Sequence, residues 1–499
     1  MTTSVEAYNA AIGPAAPVDG VRFRSLFLKL APAMFLGSLD QTIVATALPA
    51  MAISLGNFIH IAWVVSAYLL AATVAAPVYG KLGDAYGRRK ALMGALVLFV
   101  LGSIACTFAP NFAALVAGRI LQGLGGGGLM TLAQALIGES VSPRERGKFQ
   151  GWFSGTFALA STIGPLAGGF LSDTWGWRSI FWINILLGGL AALAVSRVRA
   201  EPGTGRVRVD IAGNLCLVTA CTALLVALSF GVSLGFLRPI TIALAVGSTL
   251  AFALLLWIEQ RAAAPLIPVD LLAESAVWRC SLAVLLSAAV QFAAVVELPL
   301  FLQLVLTLSP TQAGLMLIPL MLSQVVMALI VGGYVSRSGH TGKFMALGFS
   351  ISAMGFFCLA LLLRDGLWIV AATSCLIGLG IGAVGPVSQT IVQWAGGLHR
   401  LGRATGLMSL SRSIGGLLGT ALVSALLIGA FQSFAPDLTA QIARALRAGT
   451  SAPTLSHGSQ QAATSAFRVV FLALASLSAL AALLCSTIPD VDVAKTHHD

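Results

Sequence analysis

Gly80-Lys81-Leu82-Gly83-Asp84-Ala85-Tyr86-Gly87-Arg88-Arg89-Lys90 is a short charged break between two apolar stretches, near residues 61 to 80 and 90 to 109. Each stretch has the roughly 20 predominantly apolar residues that a helix needs to cross a bilayer. The break therefore reads as a tight turn at a membrane surface. Its glycines let the backbone reverse, and Asp84 and Arg88 are placed to meet a helix N-terminus and a carboxylate.

The same alternation runs along the whole chain. Of 499 residues 58% are hydrophobic and 9% charged, with a mean hydropathy of +0.93, whereas a soluble domain is roughly a quarter charged. Candidate spans lie near 25 to 50, 61 to 80, 90 to 109, 112 to 138, 149 to 171, 178 to 198, 211 to 231, 237 to 258, 277 to 307, 311 to 335, 343 to 363, 367 to 394, 402 to 430 and 466 to 488. They must be helices, because an open strand edge in lipid leaves amides unpaired at several kcal/mol each. The expected fold class is an all-α polytopic membrane protein with fourteen transmembrane helices.

The net charge of +11 would suggest nucleic acid in a soluble protein, but the basic residues sit in the breaks between spans. With the N-terminus inside, the 29 Lys and Arg divide into 21 inside, 6 outside (Arg178, Arg238, Arg364, Arg444, Arg447, Arg468) and 2 within spans (Arg119, Arg412). That excess orients the chain with both termini cytoplasmic. The basic start at Arg22 and Arg24 resembles a leader, but the apolar run continues to about residue 50 through Asp40 without a small-residue exit, so it reads as an uncleaved first span. The expected aromatic belt includes Trp175, Trp177 and Trp182.

Several classes of function are disfavoured. The seven cysteines lie in or beside apolar segments without a C-x-x-C, which implies neither a disulfide framework nor a metal site. No G-x-x-x-x-G-K-[ST] encodes an ATP-driven engine. Gly123 to Gly128 and Gly380 to Gly385 match G-x-G-x-x-G without a preceding strand, so they read as helix-approach surfaces and no cofactor is expected. The histidines are scattered with no H-E-x-x-H, which argues against a membrane-embedded enzyme.

Internal similarity points to two halves. Arg146-Gly147-Lys148, Gly151 and Gly164 recur 255 positions later as Leu401-Gly402-Arg403, Gly406 and Gly419, and Gly123, Gly125, Gly127 recur as Gly378, Gly380, Gly382. A looser match pairs Gly80, Asp84, Gly87 with Gly332, Ser336, Gly339. Parallel repeats of this kind build many secondary transporters. The expected organisation is a cytoplasmic tail at 1–24, a six-helix half at 25–198, and a linker with two inserted helices at 199–276. A second six-helix half follows at 277–488 with an outer loop at 431–465 carrying a helix-like stretch Leu438 to Ala448, then a cytoplasmic tail at 489–499.

The 80–90 loop is similar to the signature loop of the major facilitator superfamily, and the whole chain resembles its fourteen-helix drug:proton antiporters of the EmrB/QacA type. Leu39 to Pro49 (LDQTIVATALP) resembles that family's first-helix motif, Ala117 to Gly123 (AGRILQG) its fourth-helix motif, and Ser161 to Gly169 (STIGPLAGG) its antiport motif. The resemblance implies proton coupling at Asp40 and Arg119, a cytoplasmic gate at Gly80, Asp84, Gly87 and Arg88, and helix bending at Gly164, Pro165 and Gly168. The second loop copy, Gly332 to Lys343, departs from the pattern, with Ser336 in place of the acid and His340 in place of a base.

The residues themselves support part of this. A charge inside a membrane helix costs about 2.5 to 3.5 kcal/mol on insertion scales and usually faces a cavity or a partner. At about 1.5 Å per residue Asp40 lies roughly 15 Å deep and Arg119 roughly 10 Å deep, near enough to pair. Helix packing through a polar group is the competing role for Asp40. Glu297, 257 positions after Asp40, reads as a second protonation site or an anionic anchor for cationic substrates, against a glutamate bonded to backbone kinked near Pro299. Arg412 reads as a functional group or as a partner of backbone carbonyls. Gln41, Trp63, Tyr68, Gln122, Gln291, Phe292, Gln303 and Gln324 are candidate cavity residues. The expectation is a proton-coupled efflux transporter of the inner membrane whose partners are protons, lipid and small amphipathic or cationic drugs. Export of one endogenous metabolite, or uptake by symport, are the alternatives, and a periplasmic adaptor is left open.

Overall fold

The computed structural model describes residues 20–56, 60–139, 146–199, 211–235, 237–261, 269–338, 341, 343–363, 366–396, 401–434 and 457–488. Among these every regular element is helical. The first span is α1 (Gly20–Ile43), a 3₁₀ turn (Ala45–Ala47) and α2 (Leu48–Leu55), rather than the continuous helix expected at 25 to 50. Pro49 brings no amide proton for the carbonyl four residues earlier, so regular bonding cannot run through. Thr42 and Thr46 donate back to the carbonyls of Leu39 and Ile43 at 3.1 and 3.3 Å at the break.

There follow α3 (Trp63–Tyr86), α4 (Arg88–Thr107), α5 (Phe112–Glu139), α6 (Arg146–Trp175), α7 (Ser179–Ser196), α8 (Ile211–Leu234) and α9 (Pro239–Glu259). Beyond them lie α10 (Val269–Leu272), α11 (Ser275–Leu304), α12 (Pro310–Ser338), α13 (Phe344–Leu361), α14 (Leu367–Gly382), α15 (Val384–Gly396), α16 (Leu401–Phe434) and α17 (His457–Ser486). Thirteen helical stretches are long and apolar enough to cross a membrane among the described residues. The remaining span expected from the sequence, 149 to 171, falls in the 30-residue α6. The expected span at 367 to 394 is two helices meeting at Ala383. α16 and α17 reach into the expected outer loop, as far as Phe434 and from His457. The helix-like stretch at Leu438 to Ala448, the tails at 1–19 and 489–499, and His340 lie outside the described residues.

Packing positions the site. α5 lies against α3 and α4, while α1 is held between α6 and α7. In the second part α11 lies on α16, α12 on α14, and α13 on α14 and α17. The two groups meet where α6 packs on α12 and α3 on α16. At the first seam Gly169 faces the Pro310 carbonyl and Gly314 faces the Pro165 carbonyl, so that a Cβ on either glycine would overlap backbone. The α8–α9 pair lies at the side, α9 touching chiefly α8, which in turn reaches α3 and α16.

The tryptophans expected at the interface differ in exposure. Trp175 is 75% exposed, but Trp177 is 5% exposed, its ring 4.3 Å from the Arg178 guanidinium carbon and edge-on to Phe181. The Arg178 head over that indole also donates to the Ala109 carbonyl at 2.9 Å.

Candidate functional site

Asp40 is fully buried on α1, three residues before the break that ends it. An isolated carboxylate there would be costly, and the structure surrounds it with donors. Arg119 Nη1 on α5 donates to Asp40 Oδ2 at 2.7 Å, with the guanidinium 1% exposed. Gln122, one turn further along α5, donates its Nε2 to Asp40 Oδ1 at 2.9 Å. Asn184 on α7 donates Nδ2 to the same oxygen at 2.6 Å.

A second tier orients these donors. Arg119 Nε donates to the Val64 carbonyl at 2.9 Å and its Nη1 to Gln122 Oε1 at 2.6 Å, while the Tyr68 ring lies 4.3 Å from its Cζ. Gln122 Nε2 also donates to Ser103 Oγ on α4 at 2.9 Å. Four helices and the first span thus converge on one carboxylate. The Tyr68 hydroxyl and Asn184 Oδ1 are buried without a hydrogen-bond partner among the described residues, so the network has unused capacity.

The Gly164 to Gly168 segment of α6 touches the same place. A Cβ on Gly164 would overlap the Thr42 hydroxyl and one on Gly168 the Ile43 carbonyl. α6 is therefore seated on the break just after Asp40, with Pro165 inside the helix and its carbonyl against Gly314 of α12.

The 80–90 loop is a turn of one residue. Gly87, at φ 92°, joins α3 to α4 in a conformation suited to glycine. Arg88 reaches Asp84 at 3.0 Å and the Ala135 carbonyl of α5 at 2.7 Å. Gly80 is open, with room for a side chain, since a Cβ there would meet nothing within 4 Å. In the second copy Gly332 faces Pro386.

Glu297 on α11 is fully buried and outside the Asp40 network. Ser424 of α16 donates to its Oε1 at 2.7 Å, and Oε2 has no hydrogen-bond partner among the described residues. Ser424 also lines a cavity of about 40 Å³ between α3, α8 and α16, together with Trp63, Ser66 and Ser229. The other candidate cavity residues separate into different roles. Gln303 donates to the Thr46 carbonyl at 2.9 Å and ties α11 to the first-span break. Gln291 donates to Gln324 Oε1 at 3.0 Å and accepts from Arg412 at 3.3 Å. Phe292 packs where a Cβ on Gly416 would be, and Gln41 is half-buried.

Asn184, Ser103 and Ser424 were not singled out by sequence. Asn184 was visible as an amide within Trp182-Ile183-Asn184-Ile185-Leu186, but a single polar side chain in a span does not name its partner.

Helices long and apolar enough to cross a membrane, enclosing a buried, hydrogen-bonded ion pair, make this a multi-pass membrane protein. The Major Facilitator Superfamily profile matches residues 30–420 and 280–497, and the chain belongs to that family. It is 33% identical over 406 residues to the multidrug transporter protein MdtP of Bacillus subtilis, covering 79% of this chain and 73% of that one. It is 31% identical over 401 residues to the multidrug resistance protein fnx1 of Schizosaccharomyces pombe, covering 78% and 76%. Among solved structures it is similar to the xylose transporter XylE from E. coli, with a TM-score of 0.58 at 15% identity over 94% of this chain and 98% of that one. The POT family transporter PepTSo gives 0.60 at 15% identity over 93% and 97%. These structural likenesses speak to the fold.

Proposed function

We propose that the protein is a proton-coupled exporter of small amphipathic molecules, working in the cytoplasmic (inner) membrane by alternating access of two halves, 25–198 and 277–488. The observation that carries the reading is the Asp40–Arg119 pair, 2.7 Å apart and shielded from solvent. Burial opposes a charged carboxylate, whereas Arg119, Gln122 and Asn184 stabilise it. Arrival of a proton neutralises Asp40, adds an O–H donor at one oxygen and removes the charge that holds the Arg119 guanidinium, so the pairing around the carboxyl weakens and rearranges.

The mechanical link is short. Asp40 lies one turn before the Ile43–Thr46 break, on which Gly164 and Gly168 of α6 rest. α6 in turn seals against α12 through Pro165 and Gly314. A change of side-chain pairing at Asp40 thereby reaches the contact between halves without a long path. Asp84 and Arg88 hold the α3–α4 junction as the cytoplasmic gate, and Glu297 serves as a second protonation site. The names of the multidrug transporter MdtP and the multidrug resistance protein fnx1 favour drugs as the cargo, and that of the MFS-type efflux pump LUC4 of Fusarium favours export as the direction. A potential of about 100 mV supplies about 2.3 kcal/mol per proton, a roughly 50-fold concentration ratio.

The test uses everted vesicles carrying an imposed proton gradient and a panel of cationic, neutral and anionic aromatic compounds. A transported compound should discharge the gradient in the wild type and not in Asp40→Asn. Uphill transport at full rate by Asp40→Asn refutes the reading.

A further inference from the structure

Arg412 is the second arginine inside the spans, and its surroundings differ from those of Arg119. A guanidinium remains protonated in proteins, and charges within a membrane ordinarily meet a counter-ion or backbone carbonyls. Arg119 has Asp40. Among the described residues Arg412 has no carboxylate within ion-pair distance. Its contacts are Gln291 Oε1 at 3.3 Å and the face of Phe157, 4.6 Å from Cζ to ring centre.

Its position is also informative. Phe157 on α6 precedes Arg412 by 255 residues, the same offset that relates Arg146-Gly147-Lys148 to Leu401-Gly402-Arg403. The two side chains are repeat mates stacked across the seam between halves. Arg412 is half-buried as a residue, and its neighbours Ser411 and Gly415 are buried. It stands eleven residues into α16, about 16 Å along the helix at 1.5 Å per residue, and inside the candidate span Gly406–Phe434.

The donors point to a ligand. Arg412 presents five N–H groups, of which one makes a long bond to Gln291. Gln291 passes its own amide to Gln324 Oε1 at 3.0 Å, leaving the Gln324 amide as a further donor on α12. Three helices, α11, α12 and α16, thus present a cation and amide donors without an acid, beside the rings of Phe157 and Phe292.

We propose that Arg412, Gln291 and Gln324 form a recognition site for the oxyanion of an aromatic carboxylate or sulfonate, with Phe157 as one wall for the ring. The guanidinium fork meets the two anionic oxygens, a geometry that an ammonium does not reproduce. The inference rests on the exporter reading and names a substrate class for it, aromatic acids, where the sequence pointed to amphipathic or cationic drugs.

Binding to the purified full-length protein in detergent, measured by calorimetry, tests it with three probes of one ring size: 1-naphthoate, 1-naphthamide and 1-naphthylmethylammonium. The wild type should bind naphthoate at least about ten-fold more tightly than the uncharged amide, the scale of one charge-assisted hydrogen bond. Arg412→Gln should abolish that preference and leave the ammonium unaffected, while Arg412→Lys and Gln324→Leu should each reduce it. If Arg412→Gln does not fold, the Lys and Leu variants decide. Naphthoate binding no stronger than naphthamide binding in the wild type, or a preference unchanged in these variants, overturns the proposal. Binding in detergent needs no gradient, so a naphthoate preference that survives alongside uphill transport at full rate by Asp40→Asn refutes the exporter reading alone.

Discussion

Replacing Asp40 and Arg119 singly and together separates a coupled pair from two independent polar residues. The carboxylate and guanidinium are 0% and 1% exposed and 2.7 Å apart. Removing one member of a buried pair leaves the other charge uncompensated, at a cost of about 3 to 5 kcal/mol. Arg119→Leu should fall at the upper end. It strips Asp40 of its only cation among the described residues, leaving Gln122 and Asn184 to hold the carboxylate. Asp40→Leu should fall at the lower end, because Arg119 keeps the Val64 carbonyl, Gln122 Oε1 and the Tyr68 face. With both replaced by Leu no buried charge remains, and the loss should be within about 1 to 2 kcal/mol of the wild type, as for other buried pairs exchanged for apolar residues. The interaction energy is then several kcal/mol, whereas independent sites add within about 0.5 kcal/mol. Thermal unfolding in detergent followed by tryptophan fluorescence reads this as two strongly lowered Tm values and a double variant that recovers most of the loss. Additive losses would refute the view that the pair acts as one unit.

Three further outcomes are expected. Gly169→Leu or Gly314→Leu must push α6 and α12 apart where backbone touches backbone, and overpacking of about 1 to 3 kcal/mol should halt export while the protein remains folded in the membrane, as vesicle transport and gel filtration will show. Asp84→Asn breaks a pair whose members are 57% and 23% exposed, so the Tm should move by less than about 1 kcal/mol equivalent while transport falls if the loop is a gate; equal activity removes it from the gate. Glu297→Gln retains the bond from Ser424 but cannot gain or lose a proton, and the proton-to-substrate ratio in vesicles should fall; an unchanged ratio excludes a second protonation site.

Much of the fold was legible because lipid allows so few solutions. Apolar runs of span length must be helical, and the breaks at Gly80 to Lys90 and between later spans follow from charges that lipid excludes. The interruptions inside spans were harder to see. The break at Ile43 to Thr46 lies in an unbroken apolar run, and its only local sign is Pro49 with threonines before it. The division at Ala383 likewise leaves no mark in hydropathy. Trp177 illustrates the limit for single residues, since an indole near a span end fits an interface whether it faces lipid or folds over a neighbouring arginine.

At the site, similar depth in their spans and the motif resemblance together linked Asp40 to Arg119. Sequence could not say that Gln122 and Asn184 share the same carboxylate, that Gly164 and Gly168 rest on the break beside it, or that Glu297 stands apart with Ser424. Arg412 was visible as an isolated charge, but its lack of an acid among the described residues and its stacking on Phe157 depend on which helix faces cross the seam. Composition and span spacing determine what must lie in the membrane, because transfer cost is a property of each residue. Which buried polar groups become partners is set by the rotation and contact of helices distant in the chain, and this only the tertiary structure decided.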